Sequence, residues 1–267
     1  MISRVLSIAG TDPSGGAGIQ ADIKTITAFK GYALSVITAL VAQNTTGVKA
    51  IMDIPVDFIS KQLDCVLEDI SVDSIKIGML NKPDVVNLVS EKIEDHAINC
   101  PLIIDPVMVA KSGDILLTKD ARSALIKKLL PLAFIITPNI PEAEIIAEMS
   151  IESEEDMINS GKVILSMGPS AVLMKGGHGK GHVVKDFLIQ KNSIDTFEAI
   201  RINTNNTHGT GCTLSAAIAS GLANKYNIKE SISLAHKYVY NAIRTAPNIG
   251  RGHGPLNHVH SIQPLVL

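Results

Sequence analysis

The chain contains no tryptophan, and aromatic residues make up 3% of its 267 positions. A core of this size must therefore be built from isoleucine, valine, leucine and alanine, a composition that suits a stacking platform for single-stranded nucleic acid poorly. Nor is there a basic excess, since the formal net charge is −2 and the pI about 6.4; nucleic-acid partners are set aside on that ground. No apolar run approaches the length of a membrane span. The three cysteines, Cys65, Cys100 and Cys212, are odd in number and far apart, so they form neither a disulfide framework nor a metal cluster. The opening residues run from a short apolar stretch into a glycine-rich turn, which reads as a strand and not a signal peptide. A reducing cytoplasm is the compartment expected. A GxxxxGK[ST] loop is also missing, which excludes a P-loop enzyme.

What is present is a rhythm. With 46% hydrophobic residues the chain can bury a large core. Short apolar runs predict strands at 5–9, 34–42, 72–77, 102–104, 134–136 and 171–175. Between them, helical spacing of apolar residues predicts helices at 17–29, 56–69, 83–95, 118–130, 140–148 and 153–166. Residues 182–202 alternate and suit an antiparallel hairpin at a sheet edge, and helices at 211–222 and 228–244 close the chain. Strand–helix alternation of this kind predicts an α/β fold with a mostly parallel, doubly wound sheet. No linker or repeat interrupts it, so residues 1–267 are expected to form a single domain.

Polar or glycine motifs follow nearly every predicted strand at its carboxyl end, the edge at which open α/β sheets bind ligands. His208-Gly209-Thr210-Gly211-Cys212 precedes an apolar helix. Its glycines and the helix N-terminus suit an anion hole for a phosphoryl group, and Cys212 in the first turn is expected to favour the thiolate. A plain glycine turn before a structural cysteine is the alternative. Four glycines in the stretch from Gly10 to Gly18 permit close approach of a ligand to backbone. Inside it, Gly16 to Ala21 fits a dinucleotide pattern, but several residues separate it from the strand end and the next strand carries no closing acid. Asp105, Asn139 and Glu142 offer hard oxygen ligands for Mg²⁺ at neighbouring strand ends, although Asn139 and Glu142 could equally cap a helix. Lys175, at a strand end before two glycines, can reach a nucleotide phosphate or simply precede a hairpin turn. His178 and His182 lack companions for a metal, and the histidines at 253–260 read as a surface turn.

The order of these motifs is more specific than any one of them. GTDPSGGAGIQAD, TALVAQNT, IKIGML, DPVMVAKSG, TPNIPEAE, KGGHG and HGTGCTLSAAIASGLA succeed one another from about residue 4 to 258. This resembles the phosphomethylpyrimidine kinase branch of the ribokinase-like superfamily. The resemblance implies a three-layer sandwich, Mg²⁺ and ATP, a homodimer, and two successive phosphorylations of 4-amino-5-hydroxymethyl-2-methylpyrimidine. It implies Cys212 as base with Gly209, Thr210 and Gly211 forming the anion hole. Gln43 would bind the aminopyrimidine edge, with Gly10 and Asp22 holding the substrate and Met79 and Val107 packing on the ring. Lys175, Asn139, Thr204 and His208 would lie on the nucleotide side, Asp105 and Glu142 would organise magnesium, and 108–116 would form a flap. Pyridoxine or pyridoxal kinase is the alternative, because the two substrates share a hydroxymethyl group on a nitrogen heteroaromatic ring.

Overall fold

The structure is a computed structural model that describes residues 2–108, 118–177, 179 and 181–263. Its centre is an eight-stranded sheet. The strands are β1 (Arg4–Ala9), β2 (Tyr32–Ile37), β5 (Ser74–Ile77), β6 (Leu102–Ile104), β7 (Ile135–Ile136), β8 (Ala171–Met174), β9 (Val183–Gln190) and β10 (Ser193–Ile200). Their order is β10-β9-β8-β7-β6-β5-β1-β2. From β2 to β8 every pairing is parallel, whereas β9 and β10 close one edge as an antiparallel hairpin.

Alternation along the strands sorts side chains to two faces. Leu6, Ile8, Ile104 and Ile136 pack under α2 (Val56–Leu67), α3 (Pro83–Asp95), α4 (Lys119–Ala124), α5 (Ile140–Ala147) and α6 (Glu154–Ser166). Val5, Ile103, Ile135 and Leu173 pack under α1 (Gly18–Ala28), α7 (Thr210–Ala223) and α8 (Ile228–Arg244). This is the doubly wound, mostly parallel sheet that the strand–helix rhythm predicts and the three-layer sandwich that the resemblance implies. Burial on both faces explains why the parallel strands read as plain apolar runs.

Two expectations need correction. The run 34–42 is not one strand. The chain leaves the sheet at Thr38, whose N–H still donates to the Ala9 carbonyl at 3.0 Å while its hydroxyl donates to the Met79 carbonyl at 2.8 Å. Beyond it, β3 (Ala39–Asn44) pairs with β4 (Gly47–Asp53) in a separate antiparallel hairpin. The second correction concerns 118–130. Helix α4 stops at Ala124, the chain widens into a π turn over Leu125–Leu129, and a 3₁₀ turn over Leu130–Leu132 follows. Pro131 supplies no backbone N–H and clashes with a regular helix, so the last turns cannot keep α geometry.

Candidate active site

Strands β6, β7 and β8 end side by side and deliver their next residues to one crevice. Asp105 follows β6, Asn139 and Glu142 open α5, and Lys175 follows β8. Lys175 Nζ lies 3.0 Å from Asp105 Oδ1 and 4.0 Å from Glu142 Oε2. Thr137 and Ser215 hydroxyls donate to Asp105 at 3.3 and 3.4 Å. The helix-cap reading of Asn139 and Glu142 holds. The Asn139 side chain accepts from the Glu142 N–H at 3.0 Å, and the Glu142 carboxylate accepts from the Asn139 N–H at 2.8 Å, a reciprocal capping box.

One ammonium faces two carboxylates in this cluster. Burial pushes the Glu142 carboxyl up to about 7, with Lys175 pulling it down and Asp105 pushing it further up. An uncompensated carboxylate of this kind suits a cation. Among the described residues no three His, Cys, Asp or Glu side chains form a metal cage. Magnesium needs none, because it retains waters and takes one or two carboxylates together with substrate phosphates. Asp105 and Glu142 fit that requirement.

The loop before α7 closes over this cluster. A side-chain carbon on Gly211 would lie 3.3 Å from Asp105 Oδ2 and 3.4 Å from Lys175 Nζ, so the backbone of the loop rests directly on the pair. Gly209 is the N-cap residue with φ +81°, and a Cβ there would sit 1.7 Å from the Gly16 carbonyl oxygen; only glycine fits. Helix geometry leaves the Gly211 and Cys212 N–H groups, in the first turn, without acceptors inside the helix. They are the donors an anion hole requires.

Cys212 corrects the expectation of a favoured thiolate. Its thiol is pushed up to about 11, first by burial. Lys76 and a hydrogen bond from the Gly18 N–H favour the thiolate but do not outweigh that burial, and Asp22 and Asp105 oppose it. A helix N-terminus contributes at most about 1–2 kcal/mol, less than withdrawal of a thiolate from water costs.

The ring-packing residues predicted from the resemblance come together. Met79 and Val107 join Ala39, Val41 and Val48 in a small apolar cluster beneath the β3–β4 hairpin. Gly10 touches it, since a Cβ there would meet the Met79 methyl at 2.7 Å. Gln43 sits half-buried on β3, where the register shifts between Ala42 and Gln43. The 10–18 loop joins this cluster to Cys212 through Gly18.

Other predicted residues are placed differently. Asp22 is sealed beneath the site. Lys76 Nζ donates to both its oxygens at 2.8 and 3.0 Å and the Ser7 hydroxyl donates at 2.5 Å, with both charged side chains fully buried. Burial pushes Asp22 up, while Asp22 in turn pushes Lys76 up against its own burial. The three short bonds are the geometry of an ionised pair. His208 turns away from the Lys175 cluster, its Nε2 lying 2.7 Å from Asp12 Oδ2. The Thr204 hydroxyl accepts from the Asn206 N–H at 3.1 Å within its own loop. The flap expected at 108–116 lies, beyond Met108, outside the described residues, as does His178.

Two buried charged residues that shape the site's surroundings escaped the sequence reading. Asp12 is fully buried and organises the glycine loop, accepting from Gly16 and Ala17 N–H at 3.1 and 2.7 Å and from Ser14 N–H and hydroxyl at 2.9 and 2.7 Å. Burial would raise its carboxyl, but His208 and Ser14 hold it well below the usual range. Lys76 is the other; a lysine inside the apolar strand SIKI was the available signal.

A donor-lined glycine loop over a lysine–carboxylate cluster, beside a small apolar cluster at the carboxyl edge of a parallel sheet, has the make-up of a phosphotransferase for small molecules. A profile of phosphomethylpyrimidine kinases matches residues 12–257, and the chain belongs to that family. The Salmonella typhimurium hydroxymethylpyrimidine/phosphomethylpyrimidine kinase is 46% identical over 259 residues, covering 96% of this chain and 97% of that protein. The crystal structure of a Clostridium difficile phosphomethylpyrimidine kinase is 46% identical, with a TM-score of 0.81 over 90% of this chain and 99% of that one. An ADP complex of Bacillus subtilis pyridoxal kinase gives a higher TM-score, 0.90 over 97% and 98%, at only 35% identity. Backbone likeness and sequence identity thus rank the two substrate groups oppositely. Identity is the better guide to substrate, because side chains read the ligand while one backbone serves many.

Proposed function

We propose that this protein is an ATP-dependent kinase of the cytoplasm that phosphorylates 4-amino-5-hydroxymethyl-2-methylpyrimidine to its monophosphate and then to the pyrophosphate. The observation that carries this reading is the 10–18 loop, which joins the Met79–Val107 apolar cluster, under the hairpin that bears Gln43, to the Cys212 loop. An amide at Gln43 can pair with an N/NH₂ ring edge, and the apolar cluster can take the ring face.

In the first transfer the substrate hydroxyl oxygen bonds to the γ-phosphorus while the bond to the ADP oxygen breaks. Gly211 and Cys212 N–H groups stabilise charge on the transferring group, and Lys175 steadies the phosphates. Magnesium held by Asp105 and Glu142 would supply further charge neutralisation. The hydroxyl proton passes to Cys212. Phosphoryl transfer depends mostly on positioning and electrostatics, with a loose transition state, so a small thiolate fraction suffices. In the second transfer a phosphate oxygen of the monophosphate takes the place of the hydroxyl.

The reading includes a single-domain subunit and a homodimer. Leu40 and Met52 stand opposite each other on the hairpin, 41% and 65% exposed, and support a covered surface there. Product analysis by mass, with Mg·ATP and the pyrimidine or pyridoxal in parallel, tests the function. Pyrimidine monophosphate followed by the diphosphate is the expected result; pyridoxal phosphate alone would transfer the protein to the vitamin B6 reading. Cys212→Ala is expected to lose turnover and keep ATP affinity, and unchanged turnover would remove Cys212 from proton transfer.

A further inference from the structure

The glycine- and histidine-rich tail is the one motif the proposed chemistry leaves unused. It is more than a surface turn. Thr45, at the tip of the β3–β4 hairpin, makes three hydrogen bonds to it. The Thr45 carbonyl accepts from the His253 N–H at 2.9 Å, and the Thr45 hydroxyl oxygen accepts from Arg251 and Gly252 N–H groups at 3.2 and 3.3 Å. The fit is backbone-tight, since a Cβ on Gly252 would lie 2.0 Å from the Thr45 carbonyl oxygen.

The same segment grips the chain leading into the anion-hole loop. The Gly254 carbonyl accepts from the His208 N–H at 3.1 Å, and His208 pairs with Pro255 in a parallel bridge. His253 Nδ1 lies 3.3 Å from the Asn205 carbonyl, and the Asn206 side-chain amide donates to Asn248. His208 then continues to Asp12 in the first glycine loop. A continuous polar network therefore runs from the hairpin tip, through 250–255, to both glycine loops.

We infer that residues 250–255 form a clasp and that Thr45 is a positioning residue, fixing the hairpin that carries Gln43 against the 205–210 segment so that pyrimidine and nucleotide binding are coupled. The inference rests on the functional reading above. Packing on Met79 and Val107 and the Lys82–Asp53 ion pair hold the base of the hairpin; a two-stranded ribbon is marginal in water, so the tip contacts decide how firmly its far end is placed. Whichever ligand binds first orders the clasped arrangement, and the second then meets less of that ordering cost. The coupling must be reciprocal.

The test is calorimetric titration of the full chain with the hydroxymethylpyrimidine, alone and in saturating Mg·AMP-PCP, together with the reverse order. The intact protein is expected to bind the pyrimidine at least about 5-fold more tightly with the nucleotide analogue present. Thr45→Val is expected to lower that factor below about 2-fold, with AMP-PCP affinity alone and thermal unfolding nearly unchanged; Thr45→Ser, which keeps the acceptor oxygen, is expected to restore it. Full coupling in Thr45→Val, or none in the intact protein, overturns the clasp and leaves the functional reading standing. Absence of pyrimidine binding in every titration overturns the functional reading and the clasp with it.

Discussion

Two buried lysine–carboxylate groups lie among the described residues, and they differ in charge balance and in access. Lys76 and Asp22 join the middle of β5 to α1, one cation to one anion, with both side chains fully withdrawn from water. Lys175, Asp105 and Glu142 sit at strand ends, one cation to two anions, with the lysine side chain 13% exposed. The first group is closed and neutral and has nothing left to bind. The second carries surplus negative charge at the edge where the anion-hole loop arrives. Charge perturbation at an open strand end marks a working site, whereas a sealed balanced pair marks architecture.

Lys76→Met should test the architectural side most strongly. Leaving Asp22 charged and alone is expected to cost about 3–5 kcal/mol of folding stability, read by denaturant unfolding. Adding Asp22→Leu should recover much of the loss. A mild single-variant effect would show that the pair is less isolated from water than its geometry indicates. Lys175→Met breaks the other group and should lower turnover about 10²–10³-fold in an ADP-release assay; Glu142, already pushed up to about 7, can take a proton, so the loss of stability should be smaller than for Lys76. Equal damage to stability from both lysines would dissolve the distinction.

The smallest effect is the pH dependence of Glu142. Its carboxyl rises from 4.5 to about 7 on folding. The native state therefore binds more protons than the unfolded chain between those values, and this contribution to stability is lost as pH rises through that window. Thermal melts from acid to neutral pH should show the decline, on the order of 1–3 kcal/mol, and Glu142→Gln should flatten it. Mg·AMP-PCP should oppose the decline in the intact protein. A melting profile identical in Glu142→Gln would mean that Glu142 carries no surplus charge.

Much of this was legible in the sequence. Buried parallel strands announce themselves as short apolar runs, and helices with one buried face keep their period. The expected 83–95 and 153–166 helices match Pro83–Asp95 and Glu154–Ser166 almost residue for residue. The β3–β4 hairpin was not legible, because β4 is largely exposed and shows no alternation of buried and open positions. Asp105, Lys175 and the 209–212 loop could be found because each is a polar break directly after an apolar strand or before an apolar helix. The Lys76–Asp22 pair spans 54 positions, so a lysine inside an apolar strand shows in the sequence but its partner does not. For Cys212, position on the helix is a sequence property but depth of burial is not, and depth decides the direction of its shift.

The hinge at Thr38 separates two kinds of inheritance. The main sheet carries Asp105 and Lys175 at its strand ends, whereas the separate hairpin that begins just after Thr38 carries Gln43 and the Ala39, Val41 and Val48 side of the apolar cluster. Substitutions in β3 and β4 can remodel ring preference while leaving every strand-end residue of the transfer machinery in register. Such a chain can change its vitamin precursor without reinventing its catalysis, and the hairpin is where a divergence in substrate would first be written.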